Sequence, residues 1–316
     1  MSSENAVIID LKFERRELDA AMERAFTGRQ VLRAADREQD LSEARYAVVW
    51  KPEADLFERA PKLEVLFSGG AGVDHVLTLP DLPDIPIVRF VDDSLTMRMS
   101  EWVVLQCLSH LRQVPAYSKQ QREHVWRELP QPEAKDLTVG VMGLGVLGRD
   151  SVAKLKVMGF DVIGWSRRKK EIDGVETFDA NGLDAFLART DILVGLLPLT
   201  AETRGIFDAS LFGKLRQGGA LGKPVFINAG RGGSQVESDL LAALETRLLG
   251  GASLDVFEAE PLASGSPFWG MDNVIITPHA ASASDVRALF RHVEQQIERY
   301  EAGEALQHLV DRQMGY

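Results

Sequence analysis

Cysteine is nearly absent from this sequence. Cys107 is the only cysteine in 316 residues, so the chain can form no internal disulfide and no structural zinc site built from several thiolates. Such low cysteine usage is typical of proteins that work in a reducing compartment. We therefore expect the protein in the cytoplasm.

Positive charge and long apolar runs are also scarce. Lys and Arg number 36 against 47 Asp and Glu, which gives a formal net charge of −11 with histidine neutral. This charge disfavours binding to nucleic acid and to anionic lipid surfaces. No uninterrupted apolar stretch approaches the roughly 20 residues that span a bilayer. The expected partners therefore include neither nucleic acid nor a membrane.

Sequence signatures of hydrolases and metal sites are missing as well. The chain has no His-Glu-x-x-His pair, no carboxylate cluster and no Gly-x-Ser-x-Gly segment. The first two are typical of metal sites, and the third places the nucleophile of many serine hydrolases. We expect neither a metal site nor hydrolase chemistry.

Short apolar runs, separated by helical patterns, are what the sequence does have. The first series lies at residues 6–9, 46–50, 64–68 and 87–90, and the second at 137–142, 161–165, 192–197, 225–228, 252–256 and 274–277. Short β-branched runs are typical of buried parallel strands. The fold class predicted is α/β with two doubly wound parallel-sheet domains. Leucines at near-helical spacing predict one long joining helix over 100–119, and an apolar face over 286–300 predicts a helix that could pack back on the first series.

A glycine-rich turn follows the first strand of the second series. There the chain reads Gly143-x-Gly145-x-x-Gly148 between an apolar strand and a helical pattern. Gly143 permits the tight turn, Gly145 lets the backbone approach a pyrophosphate, and Gly148 lets the helix pack on the strand. This predicts a Rossmann-type dinucleotide-binding domain. The predicted cofactor contacts of the turn are Gly143, Gly145, Val146, Leu147 and Gly148.

Basic residues follow the next strand, at the position where an acidic residue would bind the ribose of NAD. Ser166, Arg167 and Arg168 precede two lysines there. A hydroxyl and guanidinium groups suit a 2′-phosphate, so the segment favours NADP(H). It also disfavours S-adenosylmethionine, which has no phosphate. The alternative is a solvated surface loop that is basic for no functional reason.

Three chemically versatile residues follow successive strands of the second series. They are Arg231, a glutamate at position 258 or 260, and His279. Because the carboxyl ends of parallel strands meet at one edge of a sheet, these side chains are expected to converge. The histidine suits protonation of a keto oxygen, the glutamate could hold its other ring nitrogen, and the arginine could bind a carboxylate. Together they predict hydride-transfer reduction of a 2-keto acid.

These segments resemble the D-2-hydroxyacid dehydrogenase family. The Arg-Gly segment, Leu-Asp-Val-Phe-x-x-Glu-Pro-Leu at 254–262 and Thr-Pro-His at 277–279 occur in the family's order and spacing. The family glutamate directly precedes the proline, which implies that Glu260 is the catalytic one. The loop at 68–75 resembles the family's substrate-carboxylate loop, which implies substrate contacts at Ala71 and Gly72.

Within the family, the chain is most similar to the glyoxylate/hydroxypyruvate reductase A branch. Supporting segments lie at 49–52, 99–102, 141–148, 165–167 and 310–316. The branch implies that Trp50 lines the substrate pocket and that NADPH reduces glyoxylate and hydroxypyruvate to glycolate and D-glycerate. Further cofactor contacts implied are Leu197, Pro198, Thr203, Ala229, Asp255 and Ala281.

The family also implies a domain arrangement and an assembly. A cofactor domain at 102–284 would be inserted in a flavodoxin-like substrate domain made of 1–101 and 285–316, and the protein would be a homodimer. Two alternatives stay open: a reductase of bulkier 2-keto acids such as phenylpyruvate, and a catalytically silent NADP(H)-sensing regulatory protein. The presence of Arg231, Glu260 and His279 together argues against the second, because a sensor needs no positioned proton donor.

Overall fold

A computed structural model describes residues 5–12 and 17–316 of the chain, which divides into two compact units. We call Met1–Leu95 with Ser284–Tyr316 the split unit, and Thr96–Ala283 the continuous unit. Residues 1–4 and 13–16, which belong to the predicted 1–101 segment, lie outside the described residues. The assignment of substrate to one segment and cofactor to the other remains a prediction.

The split unit contains a five-stranded parallel sheet in the order β2-β1-β3-β4-β5. Its strands are β1 (Ala6–Leu11), β2 (Gln30–Arg33), β3 (Tyr46–Trp50), β4 (Val65–Ser68) and β5 (Ile87–Val88). Its helices are α1 (Leu18–Ala25), α2 (Leu56–Arg59), α3 (Asp74–Leu77) and α10 (Val286–Glu301). Ala6, Val7 and Ile8 are fully buried, as expected for strands covered on both faces.

Helix α10 packs against α1 within the split unit. Its apolar face is buried, and the ring of Phe290 meets that of Phe26 edge-on at 5.6 Å. Asp285 caps the helix by accepting hydrogen bonds from the N–H groups of Arg287 and Ala288. The predicted helix over 286–300 is therefore confirmed, and it joins the unit that contains the first strand series.

The continuous unit contains a seven-stranded parallel sheet in the order β12-β11-β10-β9-β6-β7-β8. Its strands are β6 (Thr138–Met142), β7 (Asp161–Trp165), β8 (Glu176–Phe178), β9 (Ile192–Gly195), β10 (Val225–Asn228), β11 (Gly251–Leu254) and β12 (Val274–Ile276). Its helices are α5 (Val114–Arg122), α6 (Val146–Val157), α7 (Leu183–Leu187), α8 (Ala209–Gly213) and α9 (Glu237–Glu245), while α4 (Asp93–Leu111) crosses the unit boundary. Strand order reverses at β6, and open α/β sheets bind ligands at the carboxyl edge beside such a point.

The predicted fold class is confirmed, because both sheets are wholly parallel and alternate with helices. The prediction of one helix over 100–119 is wrong in its bounds. Helix α4 begins at Asp93 and ends at Leu111, and Gln113 adopts a left-handed conformation (φ 54°) before α5 begins. Pro115 then lies in the first turn of α5, where its missing N–H breaks no intrahelical hydrogen bond.

The strand at 87–90 is also shorter than predicted. Only Ile87–Val88 pairs with β4, and the next residues bond elsewhere: the N–H of Arg89 donates to the carbonyl of His308, and that of Phe90 to the carbonyl of Gly70. Across the described part of the chain, no helix combines the length and apolarity needed to cross a membrane.

Candidate active site

The glycine turn lies between β6 and α6, at the reversal point of the large sheet. Gly143 has φ +109°, and a Cβ there would stand 2.5 Å from the carbonyl oxygen of Leu196. A Cβ on Gly148 would lie 1.9 Å from the carbonyl oxygen of Gly143, so helix and turn meet backbone to backbone. These two glycines are required by the local backbone itself.

Gly145 differs from its neighbours because nothing lies within 4 Å of the place its Cβ would occupy. It is the N-terminal cap residue of the twelve-residue helix α6, and no side chain caps that end. The first N–H groups of the helix are therefore left for another partner, with the positive end of the helix dipole behind them. Val146 is exposed and Leu147 half-buried at this surface.

The basic segment after β7 is tied to the same turn. Lys170 Nζ donates a hydrogen bond to the carbonyl of Leu144 at 3.1 Å. Ser166 is nearly buried, and its hydroxyl donates to the carbonyl of Arg168 at 2.7 Å. Arg167 lies 3.7 Å from the carboxylate of Glu202. The segment is thus a shaped loop beside the glycine turn.

Four of the other predicted cofactor positions, Leu197, Pro198, Thr203 and Ala229, follow β9 and β10. Leu197 is buried and Pro198 half-buried, and the carbonyl of Pro198 accepts a hydrogen bond from the Thr203 hydroxyl at 2.6 Å. The N–H of Ala229 donates to the carbonyl of Gly195 at 3.2 Å. The strand order places all of these residues at the carboxyl edge of the sheet that carries the glycine turn.

Taken together, the residues present fit a phosphorylated dinucleotide. The open space at Gly145 and the uncapped N-terminus of α6 suit a pyrophosphate, and Ser166, Arg167 and Arg168 suit a further phosphate. Among the described residues, no group of three or more His, Cys, Asp and Glu side chains could hold a metal ion.

His279 and Glu260 form a hydrogen-bonded pair. The Nδ1 atom of His279 lies 3.0 Å from Oε2 and 3.2 Å from Oε1 of Glu260. Their side chains are 36% and 25% exposed, so a small molecule can reach them. With Nδ1 held by the carboxylate, the opposite ring nitrogen, Nε2, is the one available to a substrate.

Asp255 organises the loop that carries His279. Its carboxylate is almost completely buried and accepts hydrogen bonds from the N–H groups of Ala280 and Ala281 at 2.8 and 3.0 Å and from the Thr277 hydroxyl at 2.5 Å. The N–H of His279 donates to the Asp255 carbonyl at 2.8 Å. These bonds hold His279 in a left-handed conformation with φ 51°, which is uncommon outside glycine.

The structure also separates the two glutamates that the strand pattern left open. Glu258 is exposed, and its carboxylate accepts the N–H of Glu237 at 3.0 Å, while its own N–H donates to the Glu237 carboxylate at 2.7 Å. Glu258 therefore fastens its loop to the start of α9, and Glu260 is the glutamate beside His279.

Arg231 follows β10 at the same carboxyl edge. It is half-buried, and its guanidinium donates to the carbonyl of Gly230 at 2.9 Å. Its backbone carbonyl accepts from the Asn228 side chain at 3.2 Å. The structure thus brings the loops of Arg231, Glu260 and His279 to one edge of one sheet, after β10, β11 and β12.

Trp50, Ala71 and Gly72 lie in the split unit. Trp50 ends β3, and a Cβ on Gly70 would stand 2.7 Å from the Trp50 ring, so the loop after β4 leaves no space for a side chain between Gly70 and the indole. The Ser68 hydroxyl donates to the Gly72 carbonyl at 3.0 Å, and Ala71 and Gly72 are half-buried. The rings of Trp50 and His75 are 4.3 Å apart.

Two buried amides near Arg231 were not singled out from the sequence. Asn228 and Gln235 are 0% and 1% exposed, and the Asn228 Nδ2 donates to the Gln235 Oε1 at 2.9 Å. Asparagine and glutamine carry no titratable group, so neither residue type marks a reaction in a sequence. The one available signal is that Asn228 ends a predicted strand just before Arg231.

Comparison with known proteins identifies the family to which the chain belongs. Residues 104–281 match the model of the D-isomer specific 2-hydroxyacid dehydrogenase, NAD binding domain. The chain is 39% identical over 284 residues to a glyoxylate/hydroxypyruvate reductase A of Citrobacter koseri, covering 88% of this chain and 89% of the relative. The corresponding protein of Yersinia enterocolitica is 38% identical over 289 residues, covering 89% and 90%.

Solved structures give the same result. An NADPH-dependent glyoxylate/hydroxypyruvate reductase of Sinorhizobium meliloti, crystallised with NADP and sulfate, superposes with a TM-score of 0.96 at 64% identity, covering 99% of this chain and all of that one. A D-isomer specific 2-hydroxyacid dehydrogenase of Xanthobacter autotrophicus Py2, crystallised with NADPH and MES, has a TM-score of 0.92 at 39% identity, with 99% of each chain covered. The predicted resemblance is confirmed: the chain belongs to the D-isomer specific 2-hydroxyacid dehydrogenase family.

Proposed function

We propose that this protein is an NADPH-dependent reductase of small 2-keto acids, with glyoxylate and hydroxypyruvate as substrates and glycolate and D-glycerate as products. The observation that carries the proposal is the 3.0 Å contact between His279 Nδ1 and Glu260, at the sheet edge that also holds Arg231 and the glycine turn. The names of the Citrobacter, Yersinia and Sinorhizobium relatives support the choice of substrates.

Arg231 is proposed to bind the substrate carboxylate. A guanidinium matches a carboxylate in a two-pronged geometry and polarises the neighbouring carbonyl. In the split unit, Trp50, Ala71 and Gly72 are proposed to contact the substrate as well. Within the loop after β4, the Ser68 hydroxyl donates to the Gly72 carbonyl, and the indole of Trp50 packs against Gly70.

His279 is proposed to protonate the keto oxygen from Nε2. The carboxylate of Glu260 holds Nδ1, which fixes the ring orientation and leaves Nε2 for the substrate. Bound NADPH supplies the hydride that adds to the keto carbon. The proton from His279 completes the hydroxyl group, so the product is a 2-hydroxy acid and the histidine is left neutral.

NADP(H) binding is assigned to the glycine turn and the basic segment after β7. The N–H groups at the start of α6 would bind the pyrophosphate, and Ser166, Arg167 and Arg168 the 2′-phosphate. Leu197, Pro198, Thr203, Ala229, Asp255 and Ala281 are the remaining proposed contacts. The NADP and NADPH in the crystals of the Sinorhizobium and Xanthobacter proteins support this choice of cofactor.

A cytoplasmic homodimer is the proposed form of the enzyme. The single cysteine supports the compartment. A set of exposed apolar side chains on α4, α5 and the segment after α5 supports an interface: Met97, Leu105, Val114, Val125 and Trp126. Sedimentation velocity measures the mass in solution. If a Trp126→Ala variant stays dimeric, Trp126 does not contribute to that interface.

The function is tested by initial rates of NADPH and NADH oxidation with glyoxylate, hydroxypyruvate, pyruvate and phenylpyruvate. We expect turnover of the two small keto acids with NADPH. A preference for phenylpyruvate would keep the mechanism and change the substrate. Binding of NADPH without turnover of any keto acid would overturn the proposal and favour the regulatory alternative.

The catalytic assignment is tested by His279→Gln, with His124→Gln as the matched control. Both histidines are exposed and have left-handed backbones, φ 51° and 56°. Loss of a general acid lowers kcat by about 10²- to 10⁴-fold. We expect that loss for His279→Gln, with the dissociation constant of NADPH unchanged, and nearly full activity for His124→Gln.

A further inference from the structure

The buried amide pair Asn228–Gln235 joins the loop that carries Arg231 to the loop that carries Glu260. Asn228 ends β10, and Gln235 lies two residues before the first residue of α9, Glu237. Gln235 Oε1 accepts from Asn228 Nδ2 at 2.9 Å, and Gln235 Nε2 donates to the carbonyl of Val256 at 3.1 Å. The glutamine thus bridges two loops that follow neighbouring strands, β10 and β11.

On the first side of the bridge, Asn228 shapes the Arg231 loop. Its Nδ2 donates to the carbonyl of Arg231 at 3.2 Å as well as to Gln235, and its Oδ1 accepts the N–H of Gly230 at 3.0 Å. Both hydrogens of the amide are used in this way. Because the Arg231 carbonyl can only accept, the Asn228 side-chain atom facing it must be the nitrogen, Nδ2.

On the second side, Val256 lies between the groups that hold His279 and Glu260. The preceding residue, Asp255, accepts the N–H groups of the His279 loop. The following residue, Phe257, donates its N–H to Glu260 Oε1 at 3.2 Å. A shift of the Val256 carbonyl therefore moves both members of the His279–Glu260 pair relative to Arg231.

The two loops also touch directly. A Cβ on Gly232 would lie 1.9 Å from the carbonyl oxygen of Phe257, so no side chain separates the backbones. Backbone contact and the hydrogen bonds of Gln235, rather than interdigitating apolar side chains, therefore set the spacing at this point. A fully bonded buried polar network holds one geometry because each alternative leaves a polar group without a partner.

We propose that Gln235 is a positioning residue that sets the distance between Arg231 and the Glu260–His279 pair. This inference rests on the proposed keto-acid reduction. In that reaction Arg231 binds the substrate carboxylate and His279 protonates the adjacent carbonyl oxygen, so their separation must match the substrate. Misplacement of a catalytic group by about 1 Å can cost on the order of 10²-fold in rate.

The test compares Gln235→Met with Gln106→Met. Gln106 is a matched control because it is also a buried glutamine of the continuous unit, accepting a hydrogen bond from the Ser253 hydroxyl at 2.9 Å. Methionine has a similar length and offers neither amide group. We expect Gln235→Met to lower kcat for glyoxylate by about 10- to 100-fold, with the dissociation constant of NADPH within twofold of the wild type. Gln106→Met should keep kcat within about threefold, although both variants lose thermal stability.

A second readout needs neither cofactor nor turnover. Hydrogen–deuterium exchange of the cofactor-free protein should speed up in the segments 228–236 and 255–261 of Gln235→Met and stay unchanged there in Gln106→Met. Should the methionine variant fail to fold, Gln235→Glu carries the same test. It keeps the shape and the oxygen that accepts from Asn228, and as a carboxylate it cannot donate to Val256.

A kcat of Gln235→Met within twofold of the wild type would overturn the proposal. Equal losses of kcat in the two methionine variants would also overturn it, because they would assign Gln235 to general stability. A wild-type protein that reduces no keto acid would instead contradict the proposed function. The exchange measurement would still report whether Gln235 couples the two loops.

Discussion

Lys170 Nζ donates a hydrogen bond to the backbone carbonyl of Leu144 at 3.1 Å. The basic segment after β7 and the glycine turn after β6 are therefore fastened together. In a sheet where β6 and β7 are neighbours, this contact keeps positive charge beside the surface offered to a pyrophosphate. The contact places the basic segment beside the glycine turn, as the proposed NADP(H) site requires.

The double variant Arg167→Gln/Arg168→Gln should reverse or erase the cofactor preference. A hydrogen bond to a charged group contributes about 1.5–3 kcal/mol, which corresponds to roughly 10- to 100-fold in affinity. We expect kcat/KM for NADPH to fall by that factor while kcat/KM for NADH stays nearly constant. Initial rates with each cofactor measure this. Arg189→Gln, which removes an exposed cation paired with Glu176, is the control, and equal losses for both cofactors would contradict the assignment.

Gly145→Ala should separate cofactor binding from folding. A methyl group at Gly145 meets open space and φ is negative, so the unfolding free energy of the cofactor-free protein should change by less than about 1 kcal/mol. The same methyl group occupies the surface where a pyrophosphate would approach, so the dissociation constant of NADPH should rise at least tenfold, on the order of 1.4 kcal/mol.

Gly148→Ala is the contrasting variant, since its Cβ would lie 1.9 Å from a backbone oxygen. It should lose stability as well as cofactor affinity. Urea unfolding and fluorescence titration with NADPH measure the two quantities. If Gly145→Ala binds NADPH as tightly as the wild type, the glycine turn does not contact the cofactor.

His110 should make the protein less stable in mild acid. Burial lowers the pKa of His110 from 6.5 to about 4, and its Nε2 lies 2.9 Å from the Ser253 hydroxyl. The folded chain keeps the ring neutral, whereas the unfolded chain binds a proton below pH 6.5. The contribution of His110 to the unfolding free energy is therefore fully present above pH 6.5. It is lost as the pH drops toward 4, which lowers the unfolding free energy by up to about 3 kcal/mol.

The variant His110→Gln removes this titration. Its unfolding free energy should depend less steeply on pH than that of the wild type between about pH 6.5 and 4. Urea unfolding at several pH values measures the difference between the two slopes, which cancels the contribution of other groups. Parallel slopes for His110→Gln would refute the prediction.

Arg29→Met should destabilise the split unit strongly. The nearly buried guanidinium bonds to Glu294 and Glu301 of α10, each at 2.8 Å, and Glu301 also accepts from the Tyr46 hydroxyl at 3.1 Å. Burial raises the pKa of Glu294, whereas the hydrogen bond from Arg29 lowers that of Glu301. Removing one partner of such a buried pair costs about 3 kcal/mol.

Thermal and urea unfolding measure that loss. Lys214→Ala, which breaks an exposed pair with Asp184, should cost less than about 1 kcal/mol. Similar losses in the two variants would show that burial does not strengthen the Arg29 contacts.

The buried strands could be predicted from the sequence because their apolar runs coincide with their pairing. The predicted bounds 161–165 and 225–228 match β7 and β10. Two edge strands, β2 and β8, were missed. Their sequences Gln-Val-Leu-Arg and Glu-Thr-Phe are short and partly exposed, so no apolar run marks them. These segments are strands because they pair with a neighbouring strand, β1 or β7. A local sequence pattern carries no information about that pairing.

The candidate site, like the sheets, could be predicted only in part from the sequence. Titratable residues after strands were found, and the contact between His279 and Glu260 agrees with the pairing expected. Whether Glu258 or Glu260 is the partner depends on how the chain turns after β11, which strand periodicity does not encode. The amides of Asn228 and Gln235 act through hydrogen-bond geometry alone, and a sequence does not display that geometry.

The division of the chain has a consequence for synthesis on the ribosome. Helix α10 packs on α1, and the N–H of Val310 donates to the carbonyl of Ile87 at 2.8 Å, so the split unit needs residues from both sides of the continuous unit. The continuous unit, Thr96–Ala283, emerges before α10 exists and can fold earlier. A nascent chain therefore exposes the apolar surface around Phe26 until Phe290 has been synthesised. We expect chaperones to bind this surface during that interval.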